Sequence, residues 1–194
     1  MNMQVGVLAL QGAFAAHSDC LTSIGVQSIE VRNTEQLSSV DALLMPGGES
    51  STMSQLLESS GLFDPIATRI ADGMPVFGTC AGMILLASEI LDGRSDQRSF
   101  SAIDISVRRN AFGRQVDSFE ATINSSVGDF HGVFIRAPRI ERVGDQVEVL
   151  GSINDEPVLV RQGNVLAASF HPELSNDARL HEYFVSITAN KKKV

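Results

Sequence analysis

The sequence predicts a three-layer α/β fold: a parallel sheet core flanked by helices, with antiparallel strands added in the second half. Three observations carry this. Continuous apolar runs alternate with helix-patterned stretches through the first half. Turns rich in small residues close several of those runs. From Ile103 to Ala168 the pattern changes to short alternating runs separated by turn residues. Strands alternating with helices imply a parallel sheet covered on both faces, and closely spaced alternating runs imply antiparallel hairpins.

In order, Val5-Gly6-Val7-Leu8-Ala9-Leu10 reads as a continuous apolar strand. A helix follows from about Ala13 to Ile24, with Cys20, Leu21 and Ile24 on its apolar face; Cys20 reads as core packing and His17 as structural or surface. Ser28-Ile29-Glu30-Val31 is a second strand, and Ala42-Leu43-Leu44-Met45 a third, ended by Pro46-Gly47-Gly48. Helices are expected around Ser51–Glu58 and Pro65–Ala71, then a buried strand at Met74-Pro75-Val76-Phe77 and a helix at Met83-Ile84-Leu85-Leu86-Ala87. The second half supplies Ile103–Val107, Phe119–Ile123, Val133–Ile135, Val147–Leu150 and Pro157–Val160, with a closing helix over Asp177–Ala189. No repeat, linker or second domain is visible, so residues 1–194 read as a single domain.

Ligands of such sheets sit beyond the carboxyl ends of the strands. Gln11-Gly12, Gly47-Gly48-Glu49-Ser50 and Cys80 all fall at such ends, so three turns converge on one crevice. Gly78-Thr79-Cys80-Ala81-Gly82 places a cysteine on a strand-to-helix turn with glycine two residues before and two after, a nucleophile elbow with Cys for Ser. The free N–H groups of the following helix favour thiolate, the nucleophilic form. By itself the stretch also reads as a small buried cysteine in a glycine-rich turn.

Ser169-Phe170-His171-Pro172-Glu173 is the next chemical signal. Pro172 biases His171 to an extended conformation, where residues i and i+2 face one side. Glu173 would then fix the tautomer of His171, and the other ring nitrogen would face Cys80 as general base. Alone, the tripeptide also reads as a satisfied histidine near a turn. Attack on a carbonyl needs oxyanion donors. Gly47-Gly48 can bring a backbone N–H close, and the N–H of Ala81 follows the nucleophile directly. The same turn also reads as a helix start capped by Ser50 or Ser51.

The net charge of −8 argues against nucleic acid or an anionic membrane as main partner. The only lysines are Lys191, Lys192 and Lys193, so the body has no Schiff-base or P-loop lysine. Two cysteines, Cys20 and Cys80, are expected reduced in a cytoplasmic protein. No apolar run approaches the roughly twenty residues of a membrane span. The N-terminus lacks the charged start of a signal peptide. His17, His131, His171, His181 and the two cysteines show no metal-ligand spacing, so no metal or other cofactor is expected.

Pro-Gly-Gly-Glu-Ser at 46–50, Gly-Thr-Cys-Ala-Gly at 78–82 and His-Pro-Glu at 171–173 resemble a class I, triad-type glutamine amidotransferase, a flavodoxin-like fold. Several stretches narrow the match to the glutaminase subunits of pyridoxal 5′-phosphate synthase. These are Leu8–Gly12, Arg109-Asn110, Phe112-Gly113-Arg114-Gln115, Asp117-Ser118-Phe119-Glu120 and Gly132–Pro138. The resemblance runs from Val5 to the closing helix, and departs from the family pattern at Arg94–Ser101.

The resemblance implies a Cys80-His171-Glu173 triad that hydrolyses L-glutamine to glutamate and ammonia through a thioester. It implies glutamine contacts at Gly48, Glu49, Ser50, Arg109, Ile135 and Arg136, and a coupling role for Gln11. An arginine fork suits the substrate carboxylate, and Glu or backbone carbonyls suit its ammonium. It also implies a synthase subunit as partner, in a large hetero-oligomer, which takes the ammonia and builds the cofactor. Other readings on such a fold are a glutaminase for another acceptor, a DJ-1-like cysteine hydrolase, and a non-catalytic binding module.

Overall fold

Period-two burial sorts the core strands into two faces. The computed structural model describes residues 3–109, 118–175 and 177–191. In chain order, β1 (Gln4–Leu8), α1 (Phe14–Ser23), β2 (Gln27–Val31), α2 (Thr34–Ser38), β3 (Ala42–Met45), α3 (Ser50–Ser59), α4 (Phe63–Ala71), β4 (Val76–Thr79) and α5 (Ala81–Leu86) build the first half. Then come β5 (Ala87–Ile90), β6 (Ile103–Arg108), β7 (Phe119–Ser125), β8 (Phe130–Phe134), β9 (Arg139–Val143), β10 (Glu148–Ile153), β11 (Glu156–Gln162), β12 (Val165–Ala168), a 3₁₀ turn at Pro172–Leu174, and α6 (Arg179–Lys191).

Among the described residues the main sheet has the order β2-β1-β3-β4-β12-β11-β10-β7-β8. The first five strands run parallel, and the last four continue antiparallel. A smaller sheet, β5-β6-β9, packs beside it. Leu43, Met45, Val76 and Ala167 face one core, under α3, α4 and α5. Their neighbours Leu44, Phe77, Leu166 and Ala168 face the other, under α1 and α6. Fully burying one such large side chain contributes roughly 1.5–3 kcal/mol, so both layers hold the site's floor rigid.

Several details differ from the sequence-based expectations. β12 is a central parallel strand beside β4; its close spacing to β11 across Gly163-Asn164 makes it look like one arm of a hairpin, which it also is. The helix after Cys80 stops at Leu86 and the chain turns directly into β5, while β9 and the short α2 also join the predicted elements. Val133–Ile135 shifts to Phe130–Phe134, which puts Ile135 and Arg136 just beyond a strand end.

Candidate active site

Cys80 sits where β4 meets α5, with φ 50° and ψ −104°. A non-glycine residue there is strained by roughly 1–3 kcal/mol, and the neighbouring packing enforces it. A side chain at Gly82 would place Cβ 2.2 Å from the Met45 carbonyl oxygen, and one at Gly78 would lie 2.6 Å from the Gly82 backbone. The elbow can therefore close only with glycine on both sides. The Cys80 backbone N–H donates to the Ala168 carbonyl of β12 at 2.8 Å. That bond ties the elbow to the strand leading into His171.

His171 follows β12 and is largely buried beside the sulfur. Its Nδ1 lies 2.8 Å from Glu173 Oε1. Glu173 does not reach it by strand alternation, as the extended reading expected. Pro172 starts a 3₁₀ turn, and that turn folds the carboxylate back onto the imidazole. Burial opposes a charge on His171, yet hydrogen bonds to Cys80 and Glu173, together with their negative charge, raise its pKa to about 10. Burial likewise opposes the Glu173 charge, but the His171 hydrogen bond and the nearby imidazoles hold its pKa below the ordinary value. At neutral pH the ring is thus an imidazolium held beside the Glu173 carboxylate, a proton donor in waiting where the sequence suggested a base.

A cleft of about 180 Å³ opens over the sulfur, lined by Gly48, Glu49, Ser50, Ile84, Arg109, Ile135 and Arg136 around Cys80 and His171. All six residues expected to contact substrate are therefore brought together. The Cys80 Sγ lies 4.0 Å from the Ile135 carbonyl oxygen. Ser50 Oγ is buried and without a hydrogen-bond partner among the described residues. Arg136 has φ 45°, which turns the chain off β8 at the cleft wall, and it has no carboxylate partner among the described residues. Gly47 backs onto Cys80 and His171: a Cβ there would meet His171 Cε1 at 2.4 Å. Ala81 is fully buried at the start of α5, next to the nucleophile. Gln11 reaches the same turn, its Oε1 accepting the Glu49 N–H at 3.2 Å.

Glu49 proves to be a scaffold as much as a contact. Its carboxylate caps α3 through the N–H groups of Ser51 and Thr52 and accepts the Thr52 hydroxyl. Burial works against its charge, but these hydrogen bonds pull its pKa down to about 2. The same carboxylate holds Arg109 at 3.0 Å. Gln97 completes that clamp, its Oε1 accepting from Arg109 at 3.2 Å and from Ser51 at 3.3 Å. Gln97 belongs to Arg94–Ser101, the segment that departs from the family pattern. Arg98 pins this loop to Glu58 and Asp64 and stacks 3.8 Å over Phe63. The sequence carried no signal for Gln97, since its partners are distant in the chain. Asn110, Phe112 to Gln115 and Asp117 lie outside the described residues.

His17, expected to be structural or surface, is fully buried on α1. Its Nδ1 is 2.9 Å from His181 Nε2 on α6. Burial, with the charge of His171, outweighs the pull of Glu173 and lowers its pKa to about 4. Burial and the adjacent His17 lower that of His181 to about 3. Both are neutral in the folded protein at pH 7, while the unfolded chain protonates them near 6.5. Stability from this pair is complete above pH 6.5 and is lost as pH falls towards 4. With both histidines protonated only in the unfolded chain, the slope near pH 5 approaches about 2.7 kcal/mol per pH unit. Urea unfolding midpoints from pH 7 to 4.5 should fall accordingly; unchanged midpoints would disprove this.

Among the described residues no group of His, Cys, Asp and Glu is arranged to hold a metal. Among the same residues no helix is long and apolar enough to cross a membrane. Cys20 and Cys80 are both free thiols.

The profile of the SNO glutamine amidotransferase family matches residues 7–190. The chain belongs to that family. It is 55% identical over 194 residues to the pyridoxal 5′-phosphate synthase subunit PdxT of Corynebacterium jeikeium, covering 97% of this chain and 98% of that one. It is 56% identical over 191 residues to the same subunit of Salinispora arenicola, with 94% and 95% covered. A solved structure described as a glutamine amidotransferase superimposes with a TM-score of 0.91 at 50% identity, covering 95% of this chain and 98% of the other. Within the SNO glutamine amidotransferase family, then, this chain carries an elbow cysteine and a histidine at one cleft, with a buried glutamate on the histidine's far nitrogen.

Proposed function

We propose that this chain is the glutaminase subunit of a pyridoxal 5′-phosphate synthase, hydrolysing L-glutamine and passing ammonia to a synthase subunit in a hetero-oligomer. The observation that carries the reading is the cleft itself, where Cys80 and His171 face Arg109 and Arg136 across about 180 Å³. That space suits one small amino acid, with guanidinium groups for its carboxylate and a nucleophile for its side-chain amide.

The Cys80 sulfur attacks the amide carbon, and the C–N bond weakens as charge builds on oxygen. Backbone N–H groups at Gly48 and Ala81 receive that charge. His171 gives its Nε2 proton to the departing nitrogen, so ammonia leaves neutral and a glutamyl thioester remains. Now neutral, His171 takes a proton from water, whose oxygen attacks the thioester. Collapse breaks the C–S bond, releases glutamate and restores the thiolate beside the imidazolium. Glu173 stays ionised throughout and orients the ring.

The test is glutamate and ammonia formed in equal amounts from glutamine by the full chain with its synthase; no release under any synthase concentration would overturn the proposal. In the same assay Arg136→Ala should raise the glutamine KM. Losing a charge partner of a carboxylate costs about 2–5 kcal/mol. Since Arg136 is exposed at the cleft wall, the lower end applies, roughly a 30-fold rise. Lys should rescue only partly, lacking the fork. An unchanged KM would remove Arg136 from the substrate site.

A further inference from the structure

We infer that His17 is a positioning residue for the triad: its Nε2–H steadies the second oxygen of Glu173 and so keeps that carboxylate ionised while His171 is neutral. The inference rests on reading Cys80, His171 and Glu173 as the catalytic triad, and it extends that triad across the sheet.

Glu173 spends Oε1 on His171 Nδ1. Its Oε2 is buried and lacks an aligned hydrogen bond among the described residues. The group facing it is His17 Nε2, 3.3 Å away, with both side chains fully buried. The four groups that meet here come from separate elements. His17 is on α1, Glu173 on the 3₁₀ turn, Thr79 at the end of β4 and His181 on α6. His17 Nε2 is also 3.2 Å from Thr79 Oγ1. Such convergence, at zero exposure for His17, Thr79 and His181, is costly unless the polar atoms serve one another.

The tautomer of His17 follows from its neighbours. A neutral ring carries one N–H. If it were on Nδ1, the Nε2 lone pair would face a carboxylate oxygen at 3.3 Å, an electrostatically unfavourable contact. His17 Nδ1–H would then donate to His181 Nε2 and leave a buried N–H on His181 Nδ1, which has no hydrogen-bond partner among the described residues. Placing the proton on Nε2 removes both problems. His181 Nε2–H donates to His17 Nδ1, and His17 Nε2–H is offered to Glu173 and Thr79. Only an acceptor lone pair on His181 Nδ1 stays unused, and buried unused acceptors are more tolerable than buried unused donors. One direction of donation therefore runs from His181 through His17 to Glu173.

This direction matters at one stage of the reaction. In the resting site the His171 imidazolium neutralises Glu173. Once His171 has given its proton to the departing nitrogen, the buried carboxylate keeps a single N–H from a neutral ring. Glu173 then gains by taking the Nδ1 proton, which would spoil the orientation of His171. A second N–H from His17 opposes that. Contacts of this kind are often long in an empty site and tighten along the reaction.

Amide side chains separate the two nitrogens of His17, because Gln places its amide near the Nε2 position and Asn near the Nδ1 position. Measured on the full chain with its synthase, His17→Asn should lower kcat about 10–100-fold, the range typical when a partner that orients a site histidine or carboxylate is removed. The glutamine KM should stay unchanged. His17→Gln should recover most of kcat. Equal kcat in both variants, or full kcat in His17→Asn, would overturn the inference. If the Asn variant fails to fold, ¹⁵N-histidine NMR of the unaltered protein at pH 7 decides: His17 must be protonated on Nε2, and protonation on Nδ1 would refute the donation. Retained glutaminase in Cys80→Ala would instead mean that the triad reading has failed, a result distinct from either outcome for His17.

Discussion

Cys80→Ala is expected to abolish glutamine hydrolysis, by more than about 10⁴-fold, the scale seen when a covalent nucleophile is deleted. Among the described residues lining the cleft, Ser50 carries the only other hydroxyl or thiol, and it sits on a different element, as the first residue of α3. The fold should survive. Alanine keeps the Cβ that already tolerates φ 50°, so the elbow's strain is unchanged, and a nearly buried sulfur is all that is lost. Cys20→Ala is the matched comparison. Cys20 is half-buried on α1, away from the cleft, and burial with the nearby Glu173 and Asp19 charges pushes its thiol pKa up, which leaves it a poor nucleophile at neutral pH. That variant should turn over near normally. Glutamate release by both proteins decides the matter, and a comparable loss in both would defeat the assignment of Cys80.

Adding the synthase subunit should raise glutamate release at least roughly tenfold, because one missing oxyanion donor typically costs 10²–10³ in rate. The reason lies in how the glycine turn is held. The Gly47 carbonyl oxygen packs against Gly12, so closely that a Cβ on Gly12 would sit 1.7 Å from it. In a planar trans peptide the N–H of Gly48 points the opposite way, so the orientation of this peptide decides whether it can serve the oxyanion. Glycine on both sides makes reorientation cheap. Gln11 holds the same turn through the Glu49 N–H at 3.2 Å. A partner that touches Gln11 would therefore have a direct hold on this glycine turn. Free hydrolysis would waste glutamine, since ammonia released to water is mostly protonated and no longer nucleophilic. Gln11→Ala should lose much of the rise. A flat synthase titration, with full activity in the isolated chain, would show that the turn is already set and the switch does not exist.

Legibility followed the range of the determining contact. The elbow, the glycine turn and His-Pro-Glu are local, and their chemistry could be read from six or fewer consecutive residues. The parallel half of the sheet was equally plain up to β4, because each strand there is followed by a helix. β12 was harder: two residues beyond β11, it resembles the far arm of a hairpin, and only the pairing with β4 shows that it is central. Gln97 and His17 were obscured for the opposite reason. A polar residue in a surface-like loop and a histidine on an amphipathic helix mean little until Arg109 and Glu173 arrive from 12 and 156 positions away. The turn that swings Glu173 onto His171 was also missed, since proline permits both an extended predecessor and a 3₁₀ start.

Cys80 and His171 follow the adjacent strands β4 and β12, and the Cys80 N–H is itself bonded to the Ala168 carbonyl. Their relative placement therefore rests on the pairing of β4 with β12, backbone structure that a side-chain change in the cleft leaves in place. The arginines and the glycine turn hang on connecting segments instead. As the molecule is warmed, recognition of glutamine should loosen while the reacting pair stays in register, so the centre keeps its chemistry until the sheet itself separates. A lineage could likewise rebuild the cleft wall for another small amide without disturbing the machine that cleaves it.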